Sequence, residues 1–288
     1  MATREPIRAS SEFGQILAKL DPLTNLVGRW VGSGFNLVLL PDKDDKQFGF
    51  RSLSNITLES LEFTPIGGLI PNRGSDRDLF FTGLNYLQQI SNAETSGALH
   101  VEAGQWLIIK ETTEPNAPGT VVRQSTILHG NSLLAQGTTS SLDARPLPFD
   151  KADPTPQGQK VDAAYVQHLE APPLPSGFDP RYLKDMNAAL EDVIKKQEAD
   201  GLKIIHTDML KVSAPSSDAA PVGGVENIQF LVENAKVTKI DATFWIETVK
   251  QADTLIPTFM KLQYTQTVIL EFDDIKWPHI SVATLIKQ

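Results

Sequence analysis

Apolar and polar residues alternate along much of this chain with a period of two. Ile240, Ala242, Phe244 and Ile246 interleave with Lys239, Asp241, Thr243, Trp245 and Glu247. Leu262, Tyr264, Val268, Leu270 and Phe272 repeat the pattern, with Gln266 as a polar break. In the last stretch Ile280, Val282, Thr284 and Ile286 share one face, and His279, Ser281, Ala283 and Leu285 the other. This period predicts strands, because successive side chains of a strand point to opposite faces of its sheet. Further candidates are LVGRWVGSGFNLVLLP, SNITLESLEF, DLFFTGLNYLQQI, ALHVEAGQWLIIKE, TVVRQSTILHG, SLLAQGTTSSL, GLKIIHTDMLKVSA and ENIQFLVE, most of them bounded by Gly, Pro or Asn turn signals. Many short strands with no alternation of helix and strand predict an all-β barrel or sandwich.

Two helical segments interrupt this pattern. Ser10 or Ser11 can cap a short N-terminal helix on which Phe13, Ile16, Leu17 and Leu20 keep helical spacing, ended by Asp21-Pro22. Prolines then crowd residues 143 to 180, which predicts an extended loop. It leads into an amphipathic helix at about 180–200, with Asp179 as N-cap, Pro180 at its first position and Gly201 as its stop. Leu183, Met186, Leu190, Val193 and Ile194 form its apolar face. That face needs an apolar partner, as a lid, a side buttress or a dimer contact. The chain reads as one domain over 1–288. Within it, 143–224 is a mixed insert of proline-rich loop, helix, a strand at about 202–212 and a flexible loop.

Composition narrows the function classes. The chain has 288 residues, of which 41% are hydrophobic, enough for a sizeable core. Its net charge of −9, with no Lys/Arg block, argues against nucleic acid as a partner. No apolar run is long enough for a membrane span. The absence of cysteine excludes disulfides, thiolate catalysis and Cys-ligated metal sites. With no apolar leader in MATREPIRASSEF, the expected location is cytoplasmic.

No nucleophile elbow, phosphate loop, dinucleotide fingerprint or zinc-protease helix is present. The histidines His100, His129, His168, His206 and His279 are scattered, with no pair at metal-ligand spacing. Three segments form a more specific pattern: Gly28-Trp30-Gly32-Gly34, then His100-Glu102-Gly104, then Pro278-His279-Ile280-Ala283-Leu285. In this order they resemble the nitrobindin family of haem-binding β-barrels in the calycin superfamily. STILHGNSLLAQG resembles the strand-turn-strand that follows the family's middle motif. The resemblance covers about 23–142 and 225–288. It departs from the family at Phe35-Asn36-Leu37, where the family has tyrosine-proline, and in the longer loop at 64–78.

The resemblance implies an antiparallel calycin/lipocalin-like β-barrel with a short N-terminal helix and one inserted amphipathic helix. It also implies an interior pocket for haem b, with His279 as the axial metal ligand and His100 near the same cavity. The family's chemistry concerns nitric oxide and peroxynitrite. Trp30, Phe35, Glu102 and Tyr264 are further candidates for the pocket wall, and Trp30 equally for a plug at the barrel's closed end.

The residues themselves leave His279 three roles: iron ligand, other pocket lining, or a purely structural hydrogen bond. The partner expected is one small hydrophobic or planar ligand, with a homodimer left open. Other readings are fatty-acid or lipid binding without haem, a haem-dependent enzyme acting on peroxide or nitrogen-oxide species, and a scaffold filled by Phe63, Phe81, Phe244 and Tyr264.

Overall fold

The computed structural model describes residues 14, 17–44, 49–74, 78–113, 116–143, 149–157, 163–170, 174–217, 219, 221–254, 257–272 and 274–288. Ten long strands carry the alternating segments: β1 (Gly28–Pro41), β2 (Phe50–Pro65), β3 (Asp78–Asn92), β4 (Ala98–Ile109), β5 (Thr120–Ile127), β6 (Asn131–Leu142), β7 (Leu202–Ala214), β8 (Lys236–Gln251), β9 (Pro257–Phe272) and β10 (Ile275–Lys287). Each pairs antiparallel with its neighbours in sequence, and β10 pairs with β1. β6 also pairs with β7, with Val212 opposite Gly137, so the sheet closes into a ten-stranded up-and-down barrel. Closure satisfies every long edge, which an open sheet would leave exposed.

This closure revises the expected insert. The strand placed there at about 202–212 is β7, a stave paired on both sides. The segment ENIQFLVE, expected as a strand, is a four-residue strand at Gly224–Asn227 followed by a short helix, α3 (Gln229–Asn234). The Asn227 side chain bonds both the N–H and the C=O of Val237, which closes 228–236 into a tight excursion. Residues 229–234 of that excursion pair with no strand, so their backbone groups are met within a helical turn.

Inside and outside follow from the phase of β1. Trp30, Gly32, Gly34, Asn36 and Val38 face inward, and Phe35, Leu37 and Leu39 outward. Gly32 and Gly34 let β10 approach closely. A Cβ there would stand 2.1 Å from the Thr284 carbonyl oxygen and 2.0 Å from that of Val282. Much of the expected N-terminal helix (Ser10, Ser11, Phe13 and Ile16) lies outside the described residues. Leu20 and the 3-10 turn Leu23–Leu26 close one end of the barrel under Trp30.

The insert covers the outer wall. It contains α1 (Ala163–Glu170), the 3-10 turn Pro180–Leu183 and α2 (Ala188–Ala199). The single helix expected at 180–200 is therefore broken. Asp179 does cap its start by accepting the Arg181 N–H at 2.8 Å. The break follows because Asp185 accepts the backbone N–H groups of Ala152 and Asn187, while Asn187 donates to the Asp150 carbonyl. Such side-chain bonds compete with the helical ladder. Leu183, Met186, Ala189 and Leu190 then pack on Leu37, Leu39, Trp245, Trp277, Ile280 and Val282. The apolar stripe is thus a buttress on the barrel wall.

Polar groups fix α2 in place. Gln263 Nε2 donates to the Leu190 carbonyl at 3.1 Å. Lys261, with no exposed surface, stands 2.6 Å from the equally buried Glu247 and donates to Gln197 at 2.8 Å. Burial pulls the Lys261 pKa down to about 7, against the attraction of Glu198. Removing one member of such a pair strands a buried charge. Glu247→Ala is therefore expected to cost about 3–5 kcal/mol in urea unfolding, and the double change Glu247→Leu/Lys261→Met much less. Equal losses for the two variants would contradict this account of the interface.

Candidate functional site

The barrel interior is divided into a packed half and a cavity. In the packed half Trp30, Leu61, Phe63, Leu84, Trp106 and Phe244 fill the space, and Trp30 Nε1 donates to the Leu26 carbonyl at 2.7 Å. Above them lies a layer of buried polar groups centred on Arg123. Its Nη2 bonds Glu102 Oε1 at 2.8 Å, its Nε bonds Tyr86 Oη at 2.9 Å, and its Nη1 bonds Gln266 Oε1 at 2.7 Å. The guanidinium also lies 5.4–5.8 Å from the ring centres of Tyr86, Trp106 and Phe244. Tyr86 donates to Glu102 as well.

Burial alone would raise the Glu102 pKa. Arg123, with His100 and Tyr86, outweighs it and holds the carboxyl well below the usual range. Burial likewise opposes the charge of Arg123, and Glu102 more than restores it. The pair is therefore ionised and neutral as a whole. Beside it Glu59 behaves differently. Burial raises its pKa despite hydrogen bonds from Tyr264 at 2.5 Å and Thr57 at 2.7 Å. Gln88 completes this side by donating to Tyr264 Oη at 3.1 Å.

Over this layer is a cavity of about 450 Å³. Its apolar wall includes Val38, Leu53, Ile90, Ile127, Ile240 and Val268, and its polar wall includes Asn36, Asn55, Gln266 and Ser281. Leu231 of α3 and Ala235 lie across it. Among the described residues that line it, none is Asp, Glu, Lys or Arg. Three histidines are: His100, His129 and His279.

The partners of these imidazoles decide their tautomers. His279 Nε2 lies 3.0 Å from the Leu39 carbonyl, which can only accept, so Nε2 carries the proton and Nδ1 the lone pair. Burial, with the nearby His129, pulls the His279 pKa down to about 4, against the bond to Leu39. His100 Nε2 is 3.1 Å from Glu102 Oε2, and the same logic places its proton on Nε2. The His129 ring centre is 5.4 Å from that of His100. Burial and the charge of His100 lower its pKa, against a bond to the Leu99 backbone. By strand order His279 on β10 stands across the barrel from His100 on β4 and His129 in the β5–β6 turn.

The structure brings together His279, His100 and Tyr264 at the cavity. Glu102 lies just beneath it, fully buried, and reaches the cavity through His100. Trp30 and Phe35 are not in the wall. Trp30 plugs the closed end, and Phe35 is on the outward phase of β1, packed on Phe178 and Tyr182 of the insert. Phe63, Phe244 and Tyr264 do fill interior space, but only in and beside the packed half.

Sequence reasoning missed Arg123, Tyr86, Glu59 and His129. A signal existed for three of them: Tyr86 falls in phase with the inward Leu84 and Ile90, Arg123 with Val121 and Ile127, and Glu59 with Leu61 and Phe63. His129 sits in a turn, where no period applies. A second cleft of about 570 Å³ lies between the outer wall of β7–β9 and residues 150–153. Its charges are largely paired, Lys211 with Asp150 and Lys151 with Asp153, and it holds none of the expected site residues. Among the described residues no group of three or more His, Cys, Asp or Glu is arranged to hold a metal ion, and no helix is long and apolar enough to cross a membrane.

No protein-family model matches the chain, and no curated protein does. Among solved structures, the crystal structure of Rv2717c from M. tuberculosis is similar, with a TM-score of 0.45 and 16% identity over 93% of this chain and 99% of that one.

The neutral state of His279 has a measurable consequence. Its folded pKa of about 4 lies below the ordinary value of 6.5, so the unfolded chain binds the proton first as pH falls. The stability it contributes is complete above pH 6.5 and is lost as pH falls toward 4, by about 3 kcal/mol in all. In urea unfolding at pH 7 and pH 4.5, His279→Gln is expected to show a correspondingly smaller loss than the unchanged protein. Equal losses would mean that the imidazole is not held neutral.

Proposed function

We propose that the barrel binds one small, largely apolar or planar molecule in its interior. The observation that carries this reading is the cavity itself: about 450 Å³, with apolar walls, uncharged polar groups and three imidazoles. Ligand sites are typically of this size and lining. The most specific form of the reading is haem b, in keeping with the nitrobindin-like motifs.

The residues fit that group in kind. His279 is a neutral imidazole on a strand paired on both sides and oriented by a backbone carbonyl, and it would hold the iron through its other nitrogen. With Nε2 bound to Leu39, the nitrogen left for iron is Nδ1. His100 and His129 would line the same chamber. When bound, haem would supply an iron centre for small ligands such as nitric oxide. Its carboxylates would find no cation among the described wall residues.

A fatty acid meets the same difficulty, since Arg123 is buried below the wall and already matched by Glu102. The haem-free reading therefore narrows to uncharged lipids or aromatic compounds. Two titrations test the proposal. Nile red, an uncharged apolar dye, is expected to bind saturably at one equivalent, and its failure to do so would remove the cavity reading. Hemin is expected to give a saturable Soret shift that His279→Ala weakens about tenfold or more, ~1.4 kcal/mol. A hemin spectrum without saturation would reject haem and leave the dye result standing.

A further inference from the structure

His100 is held in a way that a wall residue does not need. The Glu102–Arg123 pair is complete without it, because Arg123 and Tyr86 both bond Glu102 Oε1. Oε2 is left for the imidazole, at 3.1 Å. A carboxylate can only accept, so the neutral ring keeps its proton on Nε2 and its lone pair on Nδ1. Nδ1 has no hydrogen-bond partner among the described residues, and the side chain, 15% exposed, lines the cavity. An imidazole backed by a buried carboxylate, with one nitrogen unengaged in an apolar chamber, has the parts of a base and its orienting group.

We infer that His100 is a general base that removes a proton from an uncharged carbon acid bound in the cavity, with Glu102 as its positioning residue. The inference rests on the reading of the cavity as a site for uncharged ligands. The substrate class follows from the wall. With no charged group lining it among the described residues, the cavity suits a neutral molecule whose C–H is made acidic by an adjacent carbonyl, nitrile or heteroaromatic ring. The reactions implied are isomerisations or eliminations that begin with loss of that proton. The positive charge gained by His100 falls beside Glu102 Oε2, the oxygen that Arg123 does not bond. The other ionisable groups near the ring are Arg123 and Tyr86, which bond the other oxygen of Glu102, His129, at 5.4 Å between ring centres, and Glu59.

The test uses 5-nitrobenzisoxazole, a flat, uncharged carbon acid, and the full haem-free chain. His100 Nδ1 takes the ring C–H proton. The C–H electron pair becomes part of a nitrile as the N–O bond breaks, and the departing oxygen leaves as a coloured phenolate. The imidazolium then returns its proton to solvent. Saturable turnover is expected, slowed by ~10²-fold in His100→Phe, the low end of what a positioned base contributes. Nile red binding is expected to persist in that variant.

Glu102→Gln is expected to slow turnover similarly and Glu102→Asp to recover part of it. Because these changes disturb a buried ion pair, the His100 tautomer in the unchanged protein gives a readout independent of their folding. Nitrogen-15 NMR is expected to show protonated Nε2 and bare Nδ1 in the neutral ring. A protonated Nδ1 would overturn the proposal. So would dye binding accompanied by turnover no faster than that of His100→Phe. Loss of dye binding in the unchanged protein would overturn the binding reading along with it.

Discussion

The ion pair between Arg123 and Glu102 is the interaction on which the interior depends. A guanidinium inside a barrel is tolerated only where its charge and its N–H groups are met, and here Glu102, Tyr86 and Gln266 meet them while three aromatic rings flank it. This polar layer separates two regimes. On one side large side chains fill the space, and on the other the wall side chains leave a cavity. Because the pair is neutral overall, it adds no net charge beneath the cavity. The same carboxylate sets the tautomer of His100, so a structural ion pair also prepares the chemistry of the wall.

The second constraint is that several staves are buried on both faces. A meander barrel ordinarily meets solvent outside, yet Leu37, Leu39, Trp245, Ile280 and Val282 point outward and are covered by the insert. The insert joins β6 to β7, which are themselves paired, so it can lengthen without opening the barrel. It lies against the side wall and leaves the cavity to α3, whose Leu231 contributes to the wall. Cover for the barrel and cover for the cavity therefore come from different parts of the chain.

Much of this fold was legible in the sequence, for a physical reason. Alternation in β8, β9 and β10 specifies which residues share a face, and the glycines at 32 and 34 fall where β10 comes close. Phase also separated His279 from Ile280 correctly. It did not say which phase was inward, since both faces of β10 are apolar once the insert is in place. Phe35 shows the cost of that ambiguity: an aromatic residue beside the motif glycines reads as pocket wall, but its odd position puts it under the insert. The broken helix at 180–200 was hidden similarly. Asp185 and Asn187 are compatible with a helix until Ala152 and Asp150 arrive as partners.

The sequence by itself determined the class of fold, the strand faces and the candidacy of His279 and His100, because period and local motif are properties of neighbouring residues. Only the tertiary structure decided that β7 closes the barrel, that Arg123 neutralises Glu102, and that Leu39 holds one nitrogen of His279. Each of these joins residues far apart in the chain. Which charges cancel and which imidazole nitrogen carries a proton are set by distances of about 3 Å that no linear pattern records.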